Sequence, residues 1–121
     1  MHTPPILDVV FFLTSSDNNP VRDWLRSLPM EDRKIVGEDL KTVQFRWPLG
    51  MPLVRKLEPG LWEVRTHLSS GRIARVLFTV QGRDMVLLHG FEKKSRKTPK
   101  EDLDLARNRM RQYKEANDEQ A

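Results

Sequence analysis

Apolar positions along this chain change their period three times. Residues 6–13, Ile-Leu-Asp-Val-Val-Phe-Phe-Leu, are dense in β-branched and aromatic side chains and predict a strand. After the polar stretch from Thr14 to Asn19, Val21, Trp24, Leu25 and Leu28 recur at helical spacing. Asn19 suits the cap of that helix and Pro20 its first turn. Pro29 breaks it, and a second helix is expected from about Met30 to Arg46, with Ile35, Val36, Leu40, Val43 and Trp47 as its apolar stripe. Pro48, Gly50 and Pro52 end the helical part. Strand-like runs follow at Leu53–Leu57, Leu61–His67, Arg72–Val80 and Asp84–Phe91. Their connectors, Glu58-Pro59-Gly60, Ser69-Ser70-Gly71 and Gln81-Gly82, are short and contain glycine, which favours antiparallel hairpins. A last helix opens at Thr98-Pro99-Lys100-Glu101, a capping box with proline at the first helical position. Leu103, Ala106, Met110 and Tyr113 form its inner stripe, and the polar tail from Glu115 is expected to fray. The expectation is one α+β domain over residues 1–121: an antiparallel sheet, two N-terminal helices and one C-terminal helix, with the helices on one face.

Strand alternation assigns side chains to faces. In Arg72–Val80, Ala74, Val76, Phe78 and Val80 are uniformly apolar and should face the helices, leaving Ile73, Arg75, Leu77 and Thr79 on the other face. In Leu61–His67, Trp62 and Val64 choose the core side, which puts Glu63, Arg65 and His67 with Arg75. In the last strand Met85, Leu87, His89, Phe91 and Lys93 alternate with Val86, Leu88 and Gly90. A mid-strand arginine on an open face either pairs with Glu63 or Glu92 or awaits an anion, and its planar fork of donors suits phosphate.

Composition narrows the classes. Hydrophobic residues are 38% and charged residues 31%, which is polar but not the composition of a disordered chain. Without cysteine there is no disulfide, thiolate metal site or cysteine nucleophile. His2, His67 and His89 are scattered, without carboxylates at ligand spacing, so no metal site is expected. The longest apolar run, Val9 to Leu13, is far too short for a membrane span, and no secretory signal opens the chain. A cytoplasmic protein with no membrane partner is expected. The net charge of +4 is uneven: residues 54–100 hold eleven Lys or Arg against four Asp or Glu, while both flanks are net acidic. Four of those cations fall within Glu92-Lys93-Lys94-Ser95-Arg96-Lys97. Such concentration attracts polyanions through their phosphates.

The segments Lys56-Leu57, Gly60-Leu61-Trp62-Glu63-Val64-Arg65 and Arg75-Val76-Leu77-Phe78 form a pattern with Leu87-Leu88-His89-Gly90-Phe91-Glu92-Lys93-Lys94-Ser95-Arg96-Lys97-Thr98-Pro99. Together with Trp24-Leu25, Leu28-Pro29, Ala106 and Tyr113, this pattern resembles the RelE/HigB superfamily of bacterial toxins, in its phage-derived HigB-like branch. The resemblance covers about residues 7 to 114. It implies a RelE-like fold and the toxin of a type II toxin–antitoxin system, a ribosome-dependent mRNA endoribonuclease. Its implied partners are the ribosome, mRNA and a helix-turn-helix antitoxin. No metal or cofactor is implied, because the ribose 2′-hydroxyl itself attacks the adjacent phosphorus.

The resemblance also implies roles. Arg75 would hold the scissile phosphate and stabilise the transition state. Lys93 would neutralise developing charge or donate a proton. Lys56 and Arg65 would bind phosphate on the same face, and Lys94 and Arg96 would touch ribosomal RNA. His89 is either the general base or a structural residue of its apolar strand. Glu63, where some relatives carry lysine, is a second possible base or a partner for Arg65. His67 should be solvated and Tyr113 packed in the core. Ala74 stands where relatives usually carry tyrosine, which would remove a stacking surface. The alternative function is a catalytically degenerate module of the same fold that binds RNA or antitoxin without cutting. A DNA-binding or phage structural role is disfavoured, since no helix carries a basic stripe suited to a major groove.

Overall fold

The computed structural model describes residues 3–94 and 96–120, without the side chains of residues 119 and 120. His2, and Ser95 within the basic segment, lie outside the described residues. The elements run β1 (Asp8–Phe11), α1 (Pro20–Ser27), α2 (Met30–Arg46), β2 (Val54–Glu58), β3 (Leu61–His67), a 3-10 turn (Ser69–Gly71), β4 (Ile73–Gln81), β5 (Asp84–Glu92) and α3 (Lys100–Gln120). This is an α+β architecture with three helices and a five-stranded sheet, in which α1 and α2 follow β1 rather than opening the chain.

Local signals explain most boundaries. The Asn19 side chain accepts a hydrogen bond from the Arg22 backbone N–H at 3.2 Å and caps α1, with Pro20 in the first turn. Gly60 and Gly82 close two hairpins at φ of 81° and 59°, where a Cβ would be strained. α3 continues past Glu115, where polarity predicts fraying. The Asn117 amide donates to the Tyr113 carbonyl at 2.8 Å within that last stretch.

The strand order is β1-β5-β4-β3-β2. Strands β2 to β5 form the expected antiparallel meander, but β1 pairs with β5 in parallel, so the sheet is mixed. Two-residue and three-residue turns can only join antiparallel strands. The path from β1 passes through two helices and is free to bring it back in the other sense.

The helices do not share one face. Val21 of α1, Leu28 just after it, and Val36, Leu40 and Val43 of α2 pack with Val64, Ala74, Val76, Phe78, Met85 and Leu87. Leu103, Ala106, Met110 and Tyr113 of α3 pack on the opposite side with Leu61, Leu77, Val86, Leu88 and Phe91. The face expected to be open is therefore covered by α3, whose own stripe needs an apolar partner as much as those of α1 and α2 do. Ile35, expected in the α2 stripe, is partly solvated, and Asp32 takes an inner position instead. Asp32 pairs there with Arg72 at 3.0 Å, and Arg72 reaches Glu92 at 3.3 Å, tying α2 to the end of β5.

One irregularity re-aims β5. Leu77 faces His89 across the β4–β5 ladder, whereas Phe78 faces Leu87, so Leu88 is an extra residue. This β-bulge shifts the alternation by one. His89 and Phe91, grouped with Leu87 by simple alternation, lie instead on the α3 side with Leu77 and Arg75. Gly90 faces the other way, against the ring of Trp24 in α1.

Candidate functional site

At the end of the sheet where β5 leaves for α3, the α3 side collects charge. Glu63 in β3 lies opposite Arg55 of β2, and Arg65 lies opposite Arg75 of β4. Like charges directly opposite each other are unfavourable, and the carboxylate between them offsets part of that cost. Glu63 Oε1 is 3.7 Å from Arg65 Nε and 3.8 Å from an Arg75 terminal nitrogen. Its other oxygen accepts a 2.7 Å hydrogen bond from the Thr98 hydroxyl, just before α3. Arg55 and Arg75 converge on the backbone carbonyl of Arg96, at 3.1 and 3.3 Å.

Neither Glu63 nor Arg75 exposes any surface, so Arg75 is not the solvent-facing phosphate clamp the sequence suggests. The physical reason is α3 and the segment leading to it, which close over this end of β4. Burial lowers the Arg75 pKa, Glu63 opposes that, and the charges of Arg65 and Arg55 lower it further. Two guanidinium groups, those of Arg65 and Arg75, thus share one buried carboxylate, and Arg55 adds a third positive charge from the neighbouring strand. The Nε and one terminal nitrogen of Arg75, and the Nε of Arg65, are buried without a hydrogen-bond partner among the described residues.

His89 lies on the same face. Its Nε2 is 2.7 Å from Asp102 Oδ1 in the first turn of α3, with side chains 16% and 14% exposed, and its ring stacks on Phe91 at 5.1 Å. An ionised carboxylate only accepts, so Nε2 carries the hydrogen toward Asp102, and in the neutral ring Nδ1 is then the nitrogen with the lone pair. Nδ1 has no hydrogen-bond partner among the described residues. Asp102 is also near enough to act on Arg75, whose pKa it raises.

The other expected residues are placed as follows. Lys56 is paired with Trp62, whose ring belongs to the α1/α2 core, so Lys56 projects from the face opposite Arg75 and leaves the site. Arg55 takes its place, because Val54 anchors β2 to that core and alternation sends the next residue to the α3 side. Lys93, Lys94 and Arg96 are exposed beside the cluster. Lys93 continues the β5 ladder through its backbone N–H to the Ile73 carbonyl at 3.1 Å. Ala74 is buried among α1/α2 core residues, so its size bears on packing there and not on stacking near Arg75. His67 is exposed and Tyr113 is half-buried in the α3 layer.

Arg55, Thr98 and Asp102 were not singled out from the sequence as site residues. Asp102 carried one usable signal, an acidic residue in the first turn of a helix that follows the histidine strand directly. Among the described residues, no helix is long and apolar enough to cross a membrane.

The arrangement defines a small α+β protein with a cationic sheet end closed by a helix that supplies a carboxylate to a histidine. The family model described as phage derived protein Gp49-like (DUF891) matches residues 23–111, which include every residue of this cluster, and the chain belongs to that family. No curated protein matches the chain.

Proposed function

We propose that this protein is the toxin of a type II toxin–antitoxin pair of the RelE/HigB kind, and that it cleaves mRNA on the ribosome. The Gp49-like family is associated with toxins of the RelE type, which supports the reading. The observation that carries it is the His89–Asp102 pair beside an excess of guanidinium groups. His89 Nδ1 accepts the proton of a ribose 2′-hydroxyl as the oxygen attacks the neighbouring phosphorus. Asp102 holds the ring and stabilises the imidazolium that forms. Arg65 and Arg55 meet the non-bridging oxygens, while Arg75 adds positive potential from beneath without touching substrate. Lys93 donates a proton to the departing 5′-oxygen. The products are a 2′,3′-cyclic phosphate and a 5′-hydroxyl. Lys94 and Arg96 bind the phosphates of ribosomal RNA, and a helix-turn-helix antitoxin encoded nearby neutralises the toxin in the cytoplasm.

Expression in growing cells, with primer extension on the message, tests this reading. Cleavage within translated codons is expected, falling about 10²–10⁴-fold in H89A, the usual range for loss of general acid–base catalysis. A folded H89A protein that cuts as fast as the parent overturns the assignment.

The burial of Arg75 against Glu63 favours one second reading, a module that binds RNA and does not cut it. Such a protein stalls ribosomes and leaves messages intact in the same experiment.

A further inference from the structure

Helix α3 grips β5 at two points. Asp102 takes the His89 ring at 2.7 Å, and seven residues on, Arg109 donates from a terminal nitrogen to the Leu88 carbonyl at 2.8 Å. Asp102, Ala106 and Arg109 are spaced four and three residues apart and share one helix face. Ala106, fully buried, brings that face against the sheet. Leu88 is the extra residue of the bulge, and the bulge is what turns His89 toward α3.

Arg109 is an unusual residue to find in this place. Burial lowers its pKa, and no carboxylate pairs with it among the described residues. Its guanidinium carbon lies 5.7 Å from the centre of the Phe12 ring. A partly desolvated cation without a counterion is costly, and an apolar residue would pack there more cheaply. What the arginine adds is a charge-assisted donor for the bulge carbonyl.

We propose that Arg109 is a positioning residue for His89. By fixing the Leu88 carbonyl it holds the bulge, and the bulge presents the imidazole to Asp102 with Nδ1 turned outward. The role of His89 as a base rests on the nuclease reading above; the orientation of its ring does not.

The two ideas separate in one experiment on the full-length protein. Imidazole nitrogen shifts of ¹⁵N-histidine-labelled protein at pH 8 report the tautomer of each of the three histidines. In the parent, His89 is expected as a single Nε2–H tautomer. In R109M, with the amide spectrum otherwise retained, a second His89 tautomer is expected, with at least a tenfold fall in kcat for ribosome-dependent cleavage and little change in KM. R109K, which keeps a donor on a shorter arm, is expected to fall between the two. If R109M does not fold, R109A, which also removes the donor, is read in its place. Parent-like His89 signals in a folded variant that lacks the donor overturn the proposal. If the tautomer responds but the parent never cleaves, positioning stands and the nuclease reading falls. If the parent cleaves and the tautomer is unmoved, the reverse holds.

Discussion

An Arg75 terminal nitrogen and Glu63 Oε1 lie 3.8 Å apart across neighbouring strands, and neither side chain is exposed. A buried pair of this kind is worth little against an apolar pair of equal volume, but removing one partner leaves a charge stranded. R75M is therefore expected to cost about 3 kcal/mol, the low end for breaking such a pair, because Arg65 and Thr98 still attend the carboxylate. The double variant E63L/R75M should recover part of that loss, and not all of it, because Arg65 loses its carboxylate as well. Urea unfolding of the four proteins in the cycle checks this, and simple additivity would show that the pair is not coupled.

The close approach of Gly90 to Trp24 makes β5 intolerant of a side chain at that point. A Cβ on Gly90 would lie 2.3 Å from the indole ring, so the ring and α1 with it must move. G90A is expected to lose about 1–3 kcal/mol, as overpacked cores do. G90A/W24L should regain part of it. Thermal unfolding of both variants gives the comparison, and an unchanged Tm for G90A would contradict the packing described.

Tyr113 is the single tyrosine of the chain, and burial, then the charge of Asp84, push its phenol pKa above 10.0. The raised folded-state value means that the folded protein favours the neutral phenol. The resulting stability is fully present below the unfolded pKa of about 10 and is lost as pH rises through the folded value. Absorbance at 295 nm should titrate above pH 10 in the folded protein and near 10 after denaturation. Y113F should flatten the alkaline fall in stability, and a parent titrating at the free value would refute this.

Exposed cations beside the cluster should carry the salt dependence of RNA binding. For every phosphate that is no longer neutralised, the slope of log K against log salt should fall by about 0.7 on single-stranded RNA. Replacing Lys93, Lys94 and Arg96 with glutamine should lower that slope stepwise, whereas K56Q, on the opposite face, should leave it unchanged. Fluorescence titrations at several salt concentrations measure both. Equal effects from Lys56 and Lys94 would mean that RNA does not lie on the α3 side.

Order and type of the elements were legible because each follows from local signals. The Asn19 cap, the proline stop at Pro29, the hairpin glycines and the period-2 run of Ala74, Val76, Phe78 and Val80 act over a few residues and need nothing from the remainder of the chain. The pairing of Arg75 with Glu63 was one of two partners that strand alternation allowed. The location of the basic end of the sheet was likewise readable, since charge is a property of composition.

Tertiary structure decided which of those groups meet. Alternation says that two faces exist but not that α3 covers the second one, so it could not foresee that Arg75 is sealed from solvent. Nor does it register a bulge, because one extra residue in β5 is defined only against its partner β4. That single offset carries His89 across the sheet to Asp102, and the register of β2 against β3 exchanges Lys56 for Arg55. Sequence determines the period of each element, a local quantity. The phase between elements, which assembles the site, is settled only when their apolar faces compete for the same core.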